Sequence, residues 1–549
     1  MSALVALDES FGWRRHAAGA ATLWFKGHLD AIDPERLAAD AASWWIAPSA
    51  EAFGDWAASL DGHFALVVER PDWIGLAVDR VRSIPLFIAR SGERIALGAD
   101  APALAERLGL EAIDADAALA IAMAGYTVGR DVLVRGIEAL LPGEVVVVAS
   151  DGPRPHRYAA YRPWRILDRG DERLRDGLVG AIDEAIDRLV AGTRGRTIAV
   201  PLSAGLDSRL VASALRHRGI RDVRLFAYGL SDNHEARASR AIAERLGYPW
   251  TFVPVTRAAQ RDLFASERHR AYLRFADSLT AVPFRQDMLA IETLTGTGWM
   301  PRDAVIVNGN SGDFISGNHI VPSLRAPPPG PDANARRRRL LEALLDKHFA
   351  LWRALATPDN RARMARRIEV AWSDLGAELG DPGADHGLFE AIEFQDRQAK
   401  YVIAGQRIYE FLGLDWRLPL WDRALLGFWE SAPLSAKAGQ RLWRETLAAL
   451  DWGGVWRPMD WPRPLAPAWV RPLRLAARGI AAPLGRERWH AIDRHLFGPL
   501  TDVLANAAVV PYGCAVLDRR GARHAVAWFA EDYLADKGLG FDGTPAVNP

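Results

Sequence analysis

With 549 residues the chain exceeds what one hydrophobic core organises, so two or more domains are expected. Hydrophobic residues make up 49% and charged residues 25%, which excludes a mainly disordered chain; Lys+Arg and Asp+Glu number 68 each, so bulk charge points to no nucleic acid or other polyanionic partner. The lone Cys514 excludes an internal disulfide framework and a multi-cysteine metal site, which fits a reducing, cytoplasmic setting. The N-terminus lacks the basic-then-apolar order of a secretory signal, and no apolar run reaches the roughly 18 residues of a membrane span, so no integral membrane segment is expected.

In chain order, short apolar runs at 64–68, 74–78, 85–88, 95–98 and 144–148, separated by Asp, Arg, Ser and Gly, predict an antiparallel β region. An amphipathic helix follows over 174–190, with Leu178, Ile182, Ile186 and Val190 on one face. A strand over 197–202, a loop over 203–208, a helix over 209–218, a strand over 223–228, a helix over 235–246 and a strand over 250–255 then repeat the β-α-β pattern of a parallel sheet, whose ligands sit beyond the strands' carboxyl ends. APPPGPDANARRRR at 326–339 reads as an exposed loop or lid. Beyond about 455 the chain is rich in Arg, Trp and Pro, and the basic, apolar stretch 469–488 reads as a helical surface packed on the rest, with an interfacial helix as the alternative. No internal repeat is found. Boundaries fall near 165 and 455, giving units 1–165, 166–455 and 456–549.

The string IAVPLSAGLDSRLVASAL at 198–215 carries the chemistry. An apolar strand ends in small residues, and a helix begins at once; backbone N–H groups and a helix N-terminus form an anion cradle of Leu202, Ser203, Ala204, Gly205, Leu206, Asp207 and Ser208. The Gly-Lys-Ser/Thr ending of a Walker A loop is absent.

This loop resembles the SGGLDS pyrophosphate loop of asparagine synthetases, departing only at Ala204. AVIVNGNSGDFISG at 304–317 resembles the same family's second signature, with Gly309, Asn310, Ser311, Gly312 and the acidic Asp313. Phe226, Tyr228 and Gly229 match the family's adenine-holding segment, and LPLWDRALLGFWESAPLSAK at 418–437 its late motif. LDGHFALVV, VDRVRSIPLF and YTVGRDVLVRGIEALLPGE resemble its N-terminal glutaminase domain. The resemblance spans about 60–450. It implies a two-domain α+β / α/β fold: an N-terminal Ntn-type β-rich glutaminase-like domain and a C-terminal parallel-sheet ATP-pyrophosphatase domain with helical additions. It also implies ATP and Mg²⁺ as cofactors, with Asp207 and Asp313 as metal carboxylates.

Departures set the expected chemistry. Ser2 stands where glutamine-dependent relatives have a nucleophilic Cys, and LWFKGHLD replaces the Asn-Gly strand of the glutamine pocket, so glutamine hydrolysis is not expected. Gln440 aligns with a catalytic lysine of relatives, which Arg441 or Lys437 is expected to replace; Arg397, Lys400, Arg407 and Glu410 lie on one predicted helix at spacings that let them face one cleft, with a solvated charged face the alternative for each. Residues 392–422 resemble homologues of surface-polysaccharide pathways. The resemblance therefore implies a ligase that adenylates a small-molecule or peptide carboxylate, releases AMP and pyrophosphate overall, and joins it to ammonia or an amine. A lasso-peptide-type macrocyclase and an inactive nucleotide-binding scaffold remain open, as does a homodimer.

Overall fold

The computed structural model describes residues 3–30, 32–44, 46–167, 169–231, 233–327, 330, 332–456 and 467–546. Ser2 and residues 457–466 of the Trp/Pro-rich stretch lie outside them.

Among the described residues, the first half carries strands β1 (Ala3–Ala6), β2 (Arg14–Ala18), β3 (Ala21–Leu29), β4 (Gly62–Glu69), β5 (Ile74–Val78), β6 (Phe87–Ser91), β7 (Arg94–Gly98), β8 (Ile137–Ala139), β9 (Glu144–Ala149) and β10 (Gly152–Arg157). They form a four-stranded sheet in the order β1-β7-β6-β8 and a six-stranded antiparallel sheet in the order β10-β9-β5-β4-β3-β2. The four-stranded sheet is mixed, because β1 runs parallel to β7. β-Branched runs such as Val145–Val148 suit these positions because both faces are covered, and all four valines are buried.

The second half holds a wholly parallel sheet of β11 (Ile198–Pro201), β12 (Val223–Gly229), β13 (Trp250–Pro254), β14 (Val305–Val307) and β15 (Asp415–Arg417), in the order β13-β12-β11-β14-β15. From β11 the chain winds outward through β12 to β13, then returns to the other side of β11 as β14. The strand order therefore reverses between β11 and β14. At such a switch point the loops leaving two adjacent strands diverge and open a crevice at the carboxyl edge.

The two halves share one apolar core: Leu76, Val78 and Val146 of the antiparallel sheet belong to the same buried cluster as Val200, Leu225 and Ile306 of the parallel sheet. Helix Ala333–His348 corrects the reading of 326–339 as loop throughout. Arg336 to Arg339 are helical, capped by Asp332, and Arg336 is buried against Asp385. Charge runs are compatible with helix; residues 328, 329 and 331 of the Pro/Gly half of that string lie outside the described residues. Beyond 466, helices Val470–Ala481, Arg486–Thr501 and Val526–Ala535 follow. Among the described residues no helix is long and apolar enough to cross a membrane.

Candidate functional site

A cavity of about 920 Å³ opens at the carboxyl edge of the parallel sheet. The loop after β11 gives it Leu202, Ser203, Asp207 and Ser208, β12 gives Phe226 and Tyr228, and the loop after β14 gives Asn308, Gly309, Asn310, Ser311 and Asp313. The two loops touch backbone to backbone. A Cβ on Gly309 would stand 2.7 Å from the Ser208 nitrogen, and one on Gly312 would stand 2.8 Å from the Asp207 carboxyl carbon, so only glycine permits either approach.

That approach brings the two acids together. The Asp313 amide donates to Asp207 Oδ2 at 2.8 Å, while the buried Asp207 Oδ1 has no protein partner. Burial, followed by the charge of Asp313, pushes the Asp207 carboxyl up to about 8. Asp313 goes the other way: burial would raise it, but the hydrogen bond and charge of His319 hold it below the usual carboxylate range. His319 Nε2 lies 3.1 Å from Asp313 Oδ2, and its Nδ1 bonds Glu393. The buried Glu393 also accepts from Lys347 Nζ at 2.8 Å. A half-charged acid pair with an orphaned oxygen is a place for a cation, which would hold both carboxylates ionised. Among the described residues no group of three or more His, Cys, Asp or Glu is arranged around a metal. Two carboxylates suffice for Mg²⁺ when phosphate oxygens and water complete its shell.

The loop amides depart from the expected open cradle. The Ser203 amide donates to Ser208 Oγ at 3.1 Å, Ala204 to Glu235 Oε2 at 2.7 Å and Gly205 to Ser203 Oγ at 3.0 Å. Three successive donors are thus closed by the protein, one of them by a carboxylate standing where an anion would sit. The first-turn amides of Leu206, Asp207 and Ser208 in helix Leu206–His217 have no intrahelical acceptor and no capping side chain. Ala204 is not among the residues at positive φ, so its methyl group is unstrained.

Several expected residues lie elsewhere. Glu410 pairs with Lys26 of β3 at 2.6 Å, under the β-rich half. Lys437 is fully buried against Glu390 at 2.9 Å, and Arg441 binds Asp171 at 2.8 Å near the surface. Gln440 Nε2 donates to Ser316 Oγ at 2.7 Å. None of these four lines the cavity, nor do Ala204, Gly205, Leu206, Gly229 and Gly312. The four polar residues expected on one helix face also separate: Phe394–Val402 is a π-helix and Ile403–Gln406 a 3₁₀ turn, so α-helical spacing fails across them. Lys400 bonds Asp396 and Thr127, Arg407 the Phe275 carbonyl, and Arg397 alone of the four reaches the cavity.

The cavity also holds residues that the sequence did not single out. Asp287 accepts from the hydroxyls of Tyr228 and Tyr409, and Asn308 Nδ2 donates to Tyr409 at 3.2 Å. Arg494, His495, Arg523 and His524 come from beyond residue 466. The only signal for them is the dipeptide Arg-His occurring twice in a stretch otherwise marked by composition alone.

A parallel sheet with paired carboxylates at its switch point, packed on an antiparallel β-rich half, defines a class of two-part, amidotransferase-like α/β proteins. Residues 180–449 match the asparagine synthase family and residues 48–159 the glutamine amidotransferase domain, and the chain belongs to the asparagine synthase-like family. It is 28% identical over 195 residues to the carboxyethyl-arginine beta-lactam-synthase of Streptomyces clavuligerus, covering 34% of this chain and 34% of that protein. The chain thus spans about a third of the length of this curated relative. Among solved structures, the allosteric regulatory enzyme of purine biosynthesis shares 11% identity over 43% of this chain and 61% of its own, with a TM-score of 0.19. The glutamine phosphoribosylpyrophosphate amidotransferase of B. subtilis, complexed with ADP and GMP, shares 12% over 69% and 74%, with a TM-score of 0.18. Overlaps this slight carry no weight for the fold.

Proposed function

We propose that the chain is an ATP-dependent amide-forming ligase: it joins a substrate carboxylate to the α-phosphate of ATP, releases pyrophosphate, and passes the acyl group to ammonia or an amine with release of AMP. The observation that carries this reading is the Asp207–Asp313 pair at the switch point, with one buried carboxylate oxygen lacking a partner. Asp207 and Asp313 would hold Mg²⁺, which when bound supplies positive charge against the departing pyrophosphate. The free first-turn amides of helix Leu206–His217 would orient the phosphates, Ser203 and Ser208 would donate their hydroxyls, and Phe226 and Tyr228 would flank the base. His319, braced by Glu393, fixes the Asp313 carboxylate.

In this reading the units 1–165, 166–455 and 456–549 divide the labour. The first supports the second and does not hydrolyse glutamine, and the ligase works in the cytoplasm on a surface-polysaccharide or secondary-metabolite precursor.

Incubation with ATP, Mg²⁺ and pools of carboxylates and amines tests it. AMP and pyrophosphate in equal amounts, dependent on a carboxylate, are expected; ADP and phosphate contradict the reading. One observation favours a second reading, a nucleotide-binding scaffold without turnover: Glu235 closes the Ala204 amide. ATP bound under every mixture without product supports that alternative.

A further inference from the structure

Acidic and basic side chains both line the cavity. Asp207, Asp313, Glu235 and Asp287 face it together with Arg285 and Arg397, and residues beyond 466 add Arg494, Arg523 and Asp502, whose carboxylate is already taken by the Leu504 and Ala507 amides. Arg397 lies close enough to Asp313 to lower its pKa. The carboxylate nearest Arg397 is Glu393 at 3.5 Å, and that group is already bonded to His319, Lys347 and Gln398.

Arg523 is anchored by backbone carbonyls. Its guanidinium donates to the carbonyl oxygens of Asp346 and Lys347 at 3.0 and 2.9 Å, at the carboxyl end of helix Ala333–His348. Desolvation, followed by the charge of Arg494, lowers its pKa against the opposing charge of Asp346, whose carboxylate is itself paired with Arg361 at 2.8 Å. Arg494 is exposed, and among the described residues it has no acidic partner. Two arginines that line one cavity, one of them fixed by backbone carbonyls and neither in an ion pair among the described residues, are suited to an anionic ligand.

We infer that the carboxylate substrate carries a second anionic group, a phosphate or a second carboxylate, which Arg494 and Arg523 bind while the reacting carboxylate faces the Asp207–Asp313 end. Both arginines lie outside residues 180–449, so the subsite belongs to this chain's own C-terminal region and not to the matched family domain. The inference rests on the ligase reading of the cavity: it names the class of substrate for that site.

Equilibrium dialysis of the full chain with labelled inorganic phosphate, succinate and acetate, in saturating Mg²⁺ and a non-hydrolysable ATP analogue, tests it. Phosphate or succinate is expected to bind at least about tenfold more tightly than acetate, the gain of one charge-assisted contact. Tighter phosphate identifies a phosphorylated substrate, and tighter succinate a diacid. Arg494→Gln, at an exposed and unpaired position, should weaken the preferred anion about tenfold and leave nucleotide-analogue binding intact. Arg523→Lys, which retains charge and fold but loses the fork, should weaken it less. The inference is overturned if acetate binds as well as the other two, if Arg494→Gln leaves anion binding unchanged, or if that variant loses the nucleotide analogue instead. Failure of the wild-type chain to bind the analogue at all would refute the ligase reading separately, and the phosphate and succinate arms run without nucleotide would still report on the arginines.

Discussion

At the scale of single residues, the site depends on how close two backbones come. Gly312→Ala would place a methyl group against the Asp207 carboxylate, so the acid must move away from Asp313. Ligase turnover is expected to fall at least about a hundredfold, as when a positioning contact shifts by about 1 Å, with a modest fall in melting temperature from crowding of the buried Leu420. Equal turnover would show that the approach is irrelevant. Lys437 separates packing from chemistry. It and Glu390 are fully buried together, so Lys437→Met strands a carboxylate and should cost about 3–5 kcal/mol, read as a lower urea midpoint. Joint replacement with Glu390→Gln should recover most of that loss; if Lys437 instead served catalysis, the single variant would keep its midpoint and lose only turnover. The sequence could not settle this point, because a motif position fixes the place of a side chain along the chain and not the face it turns to. Asp207 and Asp313 were legible because each follows the end of a parallel strand, where the fold itself fixes direction.

At the scale of elements, the phosphate loop is closed by a neighbouring helix. Glu235 lies in the first turn of helix His234–Leu246, capped by Asn233, and its carboxylate takes the Ala204 amide. Glu235→Gln removes the charge that competes with an incoming phosphate. Pyrophosphate with Mg²⁺ should then bind about 3–10-fold more tightly by calorimetry, within the range for charge near a helix N-terminus. Weaker binding would mean that Glu235 supports the loop without blocking it. The elements that build this site were readable because their periods are clean: Leu210, Val211, Ala214 and Leu215 mark one buried helix face, and Val223, Leu225 and Ala227 alternate along β12. The helix after β11 nevertheless begins at Leu206, earlier than the apolar pattern starts, since its first turn faces the cavity and not the core. The segment 394–406 was misread for a different reason: nothing in its composition signals a π-helix, and the change of pitch redirects Lys400, Arg407 and Glu410 into ion pairs and backbone contacts.

At the scale of the whole molecule, the β-rich half and the C-terminal region each enclose the middle. Core residues of both sheets form one cluster, and Lys26–Glu410, Arg157–Gln395 and Lys400–Thr127 join the halves across it. An interface this apolar behaves as core, so residues 166–549 expressed alone should show no cooperative melting transition, whereas a cooperative one would mean that the halves are independent. The sequence foretold the two-part architecture but not this shared core, because the residues that form it read simply as the inner faces of two separate sheets.

The account stands on Asp207 and Asp313 acting together on a metal-bound nucleotide. Its most direct test is ATP affinity measured with and without Mg²⁺ for the wild type, Asp207→Asn and Asp313→Asn. Mg²⁺ should strengthen binding to the wild type about tenfold or more and to either folded variant by less than about twofold. Retention of the full Mg²⁺ effect in both variants would contradict the assignment.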